Sequence, residues 1–152
     1  MKTYIGTKII KSTPMNRADY NILRGWALPA DEDGTDEGYL VEYTDGGKPN
    51  LAGYDGYVSW SPKVQFEGAY IEIGDVTGLT PHQQRVVAER AELDDKRKKL
   101  EAFIDSEKFR ILCDRSERSR MRRQHANMTD YSNVLGDRIA CMFAAETKGD
   151  AS

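Results

Sequence analysis

Histidine and cysteine are scarce, two of each in 152 residues, and that scarcity removes several kinds of chemistry at the outset. Cys113 and Cys141 stand far apart inside helical patterns, with no CxxC and no mixed His/Cys cluster. Neither a disulfide framework nor a zinc site is supported, and two free cysteines in a reducing compartment is the reading that remains. His82 and His125 belong to no HExxH, and GxSxG, P-loop and GxGxxG motifs are all missing. The carboxylates between Asp31 and Glu37 fall in a loop-like stretch, unlike a buried acid–base pair. The expectation is a binding protein with no enzyme activity, no cofactor and no metal.

Long apolar runs are missing too. No segment approaches the roughly 18 to 20 apolar residues that would span a bilayer, so no membrane partner is expected. The opening MKTYIGTKIIKS has neither the apolar stretch nor the small-residue cleavage site of a signal peptide, and an intracellular location is expected. Strong charge of one sign is also lacking overall, with a net −3, but the balance is uneven along the chain. Residues 1–78 hold 7 basic and 12 acidic side chains, whereas residues 79–143 hold 14 and 11. An anionic partner should therefore meet the second half. The excess is too small for general binding of nucleic-acid polymers, which usually needs a strongly basic face.

What is present divides the chain. Residues 1–78 read as a small β-rich domain with short helices. Tyr4–Ile10 alternates loosely and predicts a strand, and Asn16 caps a short helix through Leu23 that Gly25 ends. Residues 29–38 are acidic, with Pro and Gly, and read as a solvated loop. Tyr39–Tyr43 is a clear strand, Asp45-Gly46-Gly47 a turn, and Tyr57–Trp60 a second strand. Ser61-Pro62 predicts a helix start, with Ser61 as cap, running to about Ala69. Tyr70–Ile73 reads as a return to the sheet, and Gly74–Gly78 as the boundary. Nine aromatic residues between Tyr20 and Tyr70 supply a core, and those left over could stack on a planar group beside Asp45–Lys48 and Asn50.

From Thr80 the period changes from 2 to 3.6. Thr80-Pro81-His82-Gln83 combines a cap, a first-turn proline and the glutamine of a capping box. Leu79, Val86, Leu93 and Leu100 recur every seven residues, and this helix should reach about Phe103. A short linker with Phe109, Ile111 and Leu112 caps the turn. A second helix over Glu117–Phe143 repeats Met121, Met128, Leu135 and Met142 at the same interval. Two long helices with a short connection pack antiparallel. The fold class expected is α+β: a small β-rich domain over 1–78, a helical hairpin over 79–145, and a disordered tail over 146–152.

Between the anchors the hairpin is unusually polar. The positions three and four residues after each anchor should be apolar, yet they are Gln124 and His125, Tyr131 and Ser132, Arg138 and Ile139. An unpaired buried polar group costs roughly 1–3 kcal/mol, so these residues need partners. Either they bond to one another and to Glu89 or Glu92, across the hairpin or an oligomer contact, or they line a polar pocket where hairpins meet. A lone two-helix hairpin buries too little to stand alone, which predicts a homo-oligomer, from dimer to hexamer. The cluster of Arg118, Arg120, Arg122 and Arg123 cannot all share one helix face. It is either a solvated face or a source of arginines that converge on a phosphate-bearing ligand.

The stretch LTPHQQRVVAERAELDDKRKKLEAFI, with RMRRQHANMTDYSNVLGDRI, resembles the helical hairpin domain of bacteriophage anti-defence sponges. These are the anti-CBASS and anti-Thoeris proteins, which sequester cyclic oligonucleotides and cyclic ADP-ribose isomers. The stretches GTKIIKSTPMNRADYN, RGW, DEGYLVEYTDGGKPN and GYVSWSPK look like a module common in phage-encoded proteins. The resemblance implies non-enzymatic capture of a nucleotide-derived immune messenger in the host bacterial cytoplasm, by a hexamer-like assembly of hairpins. It carries over to Gln84 and Arg85 on the first helix, and to Arg122, Arg123, Gln124 and Tyr131 on the second. Arg122 and Arg123 would pair with phosphate, Gln84 and Gln124 would bond to base or ribose, and Tyr131 would stack or donate its hydroxyl. Arg138 joins them from the polar seam. The competing expectation is an oligomeric protein-interaction adaptor, in which the N-terminal sheet docks a partner and the hairpin only oligomerises.

Overall fold

A computed structural model describes residues 1–149, with side chains through Ala144. The chain divides into two compact units, one of residues Met1–Tyr70 and one beginning at Ile71.

The first unit is a three-stranded antiparallel sheet in the order β1–β2–β3, with two short helices. Its strands are β1 (Lys11–Pro14), β2 (Gly38–Tyr43) and β3 (Tyr57–Pro62); its helices are α1 (Arg17–Arg24) and α2 (Lys63–Ala69). Asn16 accepts a hydrogen bond from the Asp19 N–H at 2.7 Å to start α1, and Gly25, at φ 68°, ends it. The register pairs Leu40 with Trp60 and Glu42 with Val58, so these four share one face. Tyr20 from α1 joins Leu40 and Val58 in the core there, flanked by Met15, Leu51, Tyr54 and Trp60. On the other face Tyr39 stacks on Phe66 of α2 at 4.1 Å, and Phe66 lies 4.9 Å from Tyr70. The central strand is thus covered on both sides, which is why Leu40, Val41 and Glu42 are all buried in succession.

Three expectations for this unit are corrected. The first strand is Lys11–Pro14, not Tyr4–Ile10, whose Tyr4 and Ile5 stand exposed. Its place is set by the free edge of β2, where Lys11 meets Glu42 and Thr13 meets Leu40, and not by local alternation. Ser61 does not cap α2: it pairs with Tyr39 in the ladder, and the cap is Pro62, which offers no side-chain acceptor. Tyr70–Ile73 forms no strand: Tyr70 ends α2 and packs on Phe66, and residues 71–73 are irregular.

Two polar side chains, buried Glu42 and half-buried Asn50, hold the backbone of this unit. Glu42 accepts from the N–H groups of Asp55 and Gly56 at 2.7 and 3.0 Å. Asn50 both donates to the Val58 carbonyl and accepts from its N–H, standing in for a further strand. Asn50 is therefore occupied by structure.

The second unit has α3 (Pro81–Ile104), α4 (Glu107–Leu112) and α5 (Arg115–Gly149). The capping box of Thr80 and Gln83 is formed as read from the sequence. Glu101 lies across from His125, Asp94 from Ser132 and Arg90 from Gly136, so the two long helices run antiparallel. The connection expected as a linker is itself the short helix α4. Its Phe109 is 1% exposed and meets Phe103 edge-to-face at 5.7 Å, whereas Ile111 and Leu112 point outward. The tail expected over 146–152 lies outside the residues whose side chains are described.

Candidate ligand-binding site

The seam of α5 consists of Met121, His125, Met128, Ser132, Leu135, Ile139 and Met142, all buried or half-buried. Their alternating spacing of four and three is that of a coiled-coil stripe. In each pair that the sequence leaves open, the second residue enters the seam and the first lies beside it. Gln124, Tyr131 and Arg138 are accordingly exposed and do not form the seam's interior. The reason is geometric: 3.5 residues per turn cannot carry both members of an i+3/i+4 pair inward when the facing helix is this close.

The seam supplies partners for Ser132 and Tyr131, whereas the buried Nε2 of His125 has no hydrogen-bond partner among the described residues. The Ser132 hydroxyl donates to Asp94 at 2.6 Å, and Arg97 and Arg90 flank the same carboxylate at 3.4 and 3.8 Å. The Ser132 hydrogen bond holds the Asp94 carboxyl below its ordinary range, with Arg97 and Arg90 acting in the same direction. At the seam's edge the Tyr131 hydroxyl donates to Glu89, which raises the phenol above its usual range.

Outside the seam, Arg120, Arg123, Gln124, Asn127 and Tyr131 follow one another at helical spacing down a single face of α5. With Leu93 and Met128 they line an open cleft of about 540 Å³. Its floor is apolar, while its walls carry two guanidiniums, two carboxamides and a phenol. Arg120 is held by Glu117 at 2.6 and 2.7 Å, whereas Arg123 enters no ion pair among the described residues. Such a cleft can place a planar group on Met128 and Tyr131, bond to its edge through Gln124 and Asn127, and neutralise a nearby anion with Arg123.

Of the residues named from the sequence, the cleft thus gathers Arg123, Gln124 and Tyr131. Gln84 is half-buried at the start of α3, where its amide donates to the Leu79 carbonyl at 2.9 Å. Arg85 is exposed on the same helix. Arg122 points to another face of α5, with its guanidinium 5.2 Å from the Phe109 ring. Arg138 lies close enough to Tyr131 to act on its charge. The sequence offers Arg120 only as a member of the arginine cluster, and it does not single out Asn127. Their spacing from Arg123, Gln124 and Tyr131 at i, i+3, i+4, i+7 and i+11 is the signal that would have found them. Both cysteines are free, and among the described residues no His, Cys, Asp or Glu cluster could hold a metal ion. Among them, too, no helix is long and apolar enough to cross a membrane.

Fold and site together define a helical-hairpin module with a polar cleft along one helix, appended to a small sheet. Residues 80–141 match the family model described as Sequestin, a span that takes in α3, α4, α5 as far as Cys141, and every residue of the cleft. The name speaks of sequestration, and the match fits a sponge-type protein at the level of a family. No curated protein and no solved structure matches the chain.

Proposed function

We propose that this protein binds and sequesters a small nucleotide-derived signalling molecule without cleaving it, as a phage counter to bacterial immune signalling. The observation that supports the reading best is the cleft itself: Arg123, in no ion pair among the described residues, beside Gln124, Asn127 and Tyr131, over Leu93 and Met128, inside the span that matches a sequestering family. Arg123 pairs with a phosphate, Gln124 and Asn127 bond to base or ribose edges, and Tyr131 exchanges its hydrogen bond to Glu89 for one to the ligand. The site is open along one side, and a second copy of the chain would close it, which fits a homo-oligomer.

Isothermal titration against cyclic di- and trinucleotides and cyclic ADP-ribose isomers tests this. One or more should bind, Arg123→Gln should weaken that binding about tenfold, and the ligand should be recovered unaltered. Absence of binding throughout the panel ends the proposal, and a chemically altered ligand makes the protein an enzyme.

A second reading, the adaptor, draws on Ile22, Leu23, Trp26 and Leu28, four exposed apolar side chains within one short stretch of the first unit. It requires that Arg123→Gln and Tyr131→Phe leave every small-molecule interaction unchanged.

A further inference from the structure

The arginines of α5 separate onto two faces, and only one face belongs to the cleft described above. Arg115, Arg118 and Arg122 fall at i, i+3 and i+7, with Ser119 between them, and line a second open cleft of about 480 Å³. None of the three is in an ion pair among the described residues, while neighbouring Arg120 takes the one carboxylate of that turn, Glu117. Arg122 is steadied over the ring of buried Phe109.

This arrangement opposes the helix that carries it. Cations in the first turns of a helix face the positive end of its dipole, and like charges at i, i+3 and i+4 repel. Asp114 caps the end, accepting from the Glu117 N–H at 2.7 Å, and a guanidinium, which only donates, cannot satisfy the other N–H groups there. Their lining lacks the carboxamides and the Leu93 and Met128 floor of the first cleft.

We propose that Arg115, Arg118, Ser119 and Arg122 form a second binding site, specific for a chain of phosphate groups such as a linear di- or triphosphate. Three guanidiniums spread over roughly 10 Å of helix (1.5 Å per residue) converge through their long side chains on several linked phosphates, where a single phosphodiester would engage only one of them. The site is independent of the ligand of the first cleft.

The test is titration of the full-length protein with inorganic phosphate, pyrophosphate, tripolyphosphate and a nucleoside triphosphate, at low and at physiological ionic strength. Affinity should rise along the inorganic series, fall with salt, and be equal within about threefold for tripolyphosphate and the nucleoside triphosphate, since no base contact is made. The double variant Arg115→Gln/Arg118→Gln should weaken tripolyphosphate about tenfold or more, while Arg123→Gln leaves it unchanged. Without ligand, the double variant should melt at the same temperature as the natural chain or higher, because glutamine keeps the helix and removes the repulsion. Three results overturn the proposal: no gain from phosphate to tripolyphosphate, an equal loss in Arg123→Gln, or a lower melting temperature that assigns the arginines to folding.

Discussion

The two units use the hydrogen bonds of their polar side chains for different ends. In the sheet unit Glu42 and Asn50 bond to backbone groups, Asp55 and Gly56 on one side and Val58 on the other, and these bonds define the shape of a loop and an edge. In the hairpin, Ser132 bonds to Asp94 and Tyr131 to Glu89, side chain to side chain. Backbone bonds of the first kind cannot be exchanged without unfolding the segment. The exposed bond of Tyr131 to Glu89 can, which is what a binding surface requires, whereas the bond of buried Ser132 to Asp94 belongs to the seam. Among the described residues, Arg123 on one face of α5 and Arg115, Arg118 and Arg122 on another enter no ion pair.

Substitutions can break or sharpen this contrast. The largest losses should come from the two cores: Leu40→Ala and Leu135→Ala, each nearly or fully buried, should cost about 2–5 kcal/mol in chemical denaturation. Equal losses would show that the hairpin's one fully buried leucine is as important as the sheet's core, despite its polar surroundings. Gly56→Ala should follow at about 3 kcal/mol, since its Cβ would lie 1.9 Å from the Tyr43 carbonyl oxygen, a backbone atom that cannot move aside. An unaffected melting curve would refute the close approach.

Ser132→Ala should cost about 1 kcal/mol, leaving Asp94 with the arginines alone. It also has a pH signature. Asp94 binds its proton more weakly folded than unfolded, so its contribution is complete above an unfolded carboxyl value of about 3.9. That contribution is lost as pH falls through the depressed folded value. Asp94→Asn should flatten the acid limb of the stability curve, and a parallel loss in variant and natural chain would place the titration elsewhere.

The smallest effect should be Gly136→Ala. There the added Cβ would meet only the guanidinium end of Arg90 at 3.0 Å, and helix propensity favours alanine by about 1 kcal/mol. The expected change is within about 1 kcal/mol of zero by thermal melting. A loss as large as that of Gly56→Ala would show Arg90 to be fixed in the seam. The same substitution thus separates a glycine that faces backbone from one that faces a movable side chain.

Much of this was legible beforehand because it is local. Asn16 and Gly25 bracket α1, Thr80 and Gln83 start α3, and the sevenfold spacing of Val86 or Leu135 marks the hairpin, all through contacts within a turn or two. The amino acids alone thereby determined α+β class, two long helices, and the need for partners along a polar seam. Tertiary structure decided what depends on an edge or a neighbour. The edge of β2 chose Lys11–Pro14 over Tyr4–Ile10, and the ladder took Ser61 from α2. The facing helix chose His125 and Ser132 over Gln124 and Tyr131, and so turned the latter two outward into a cleft with Arg120 and Asn127. Periodicity names candidates for a face, but only the partner's surface settles which of two adjacent residues it covers.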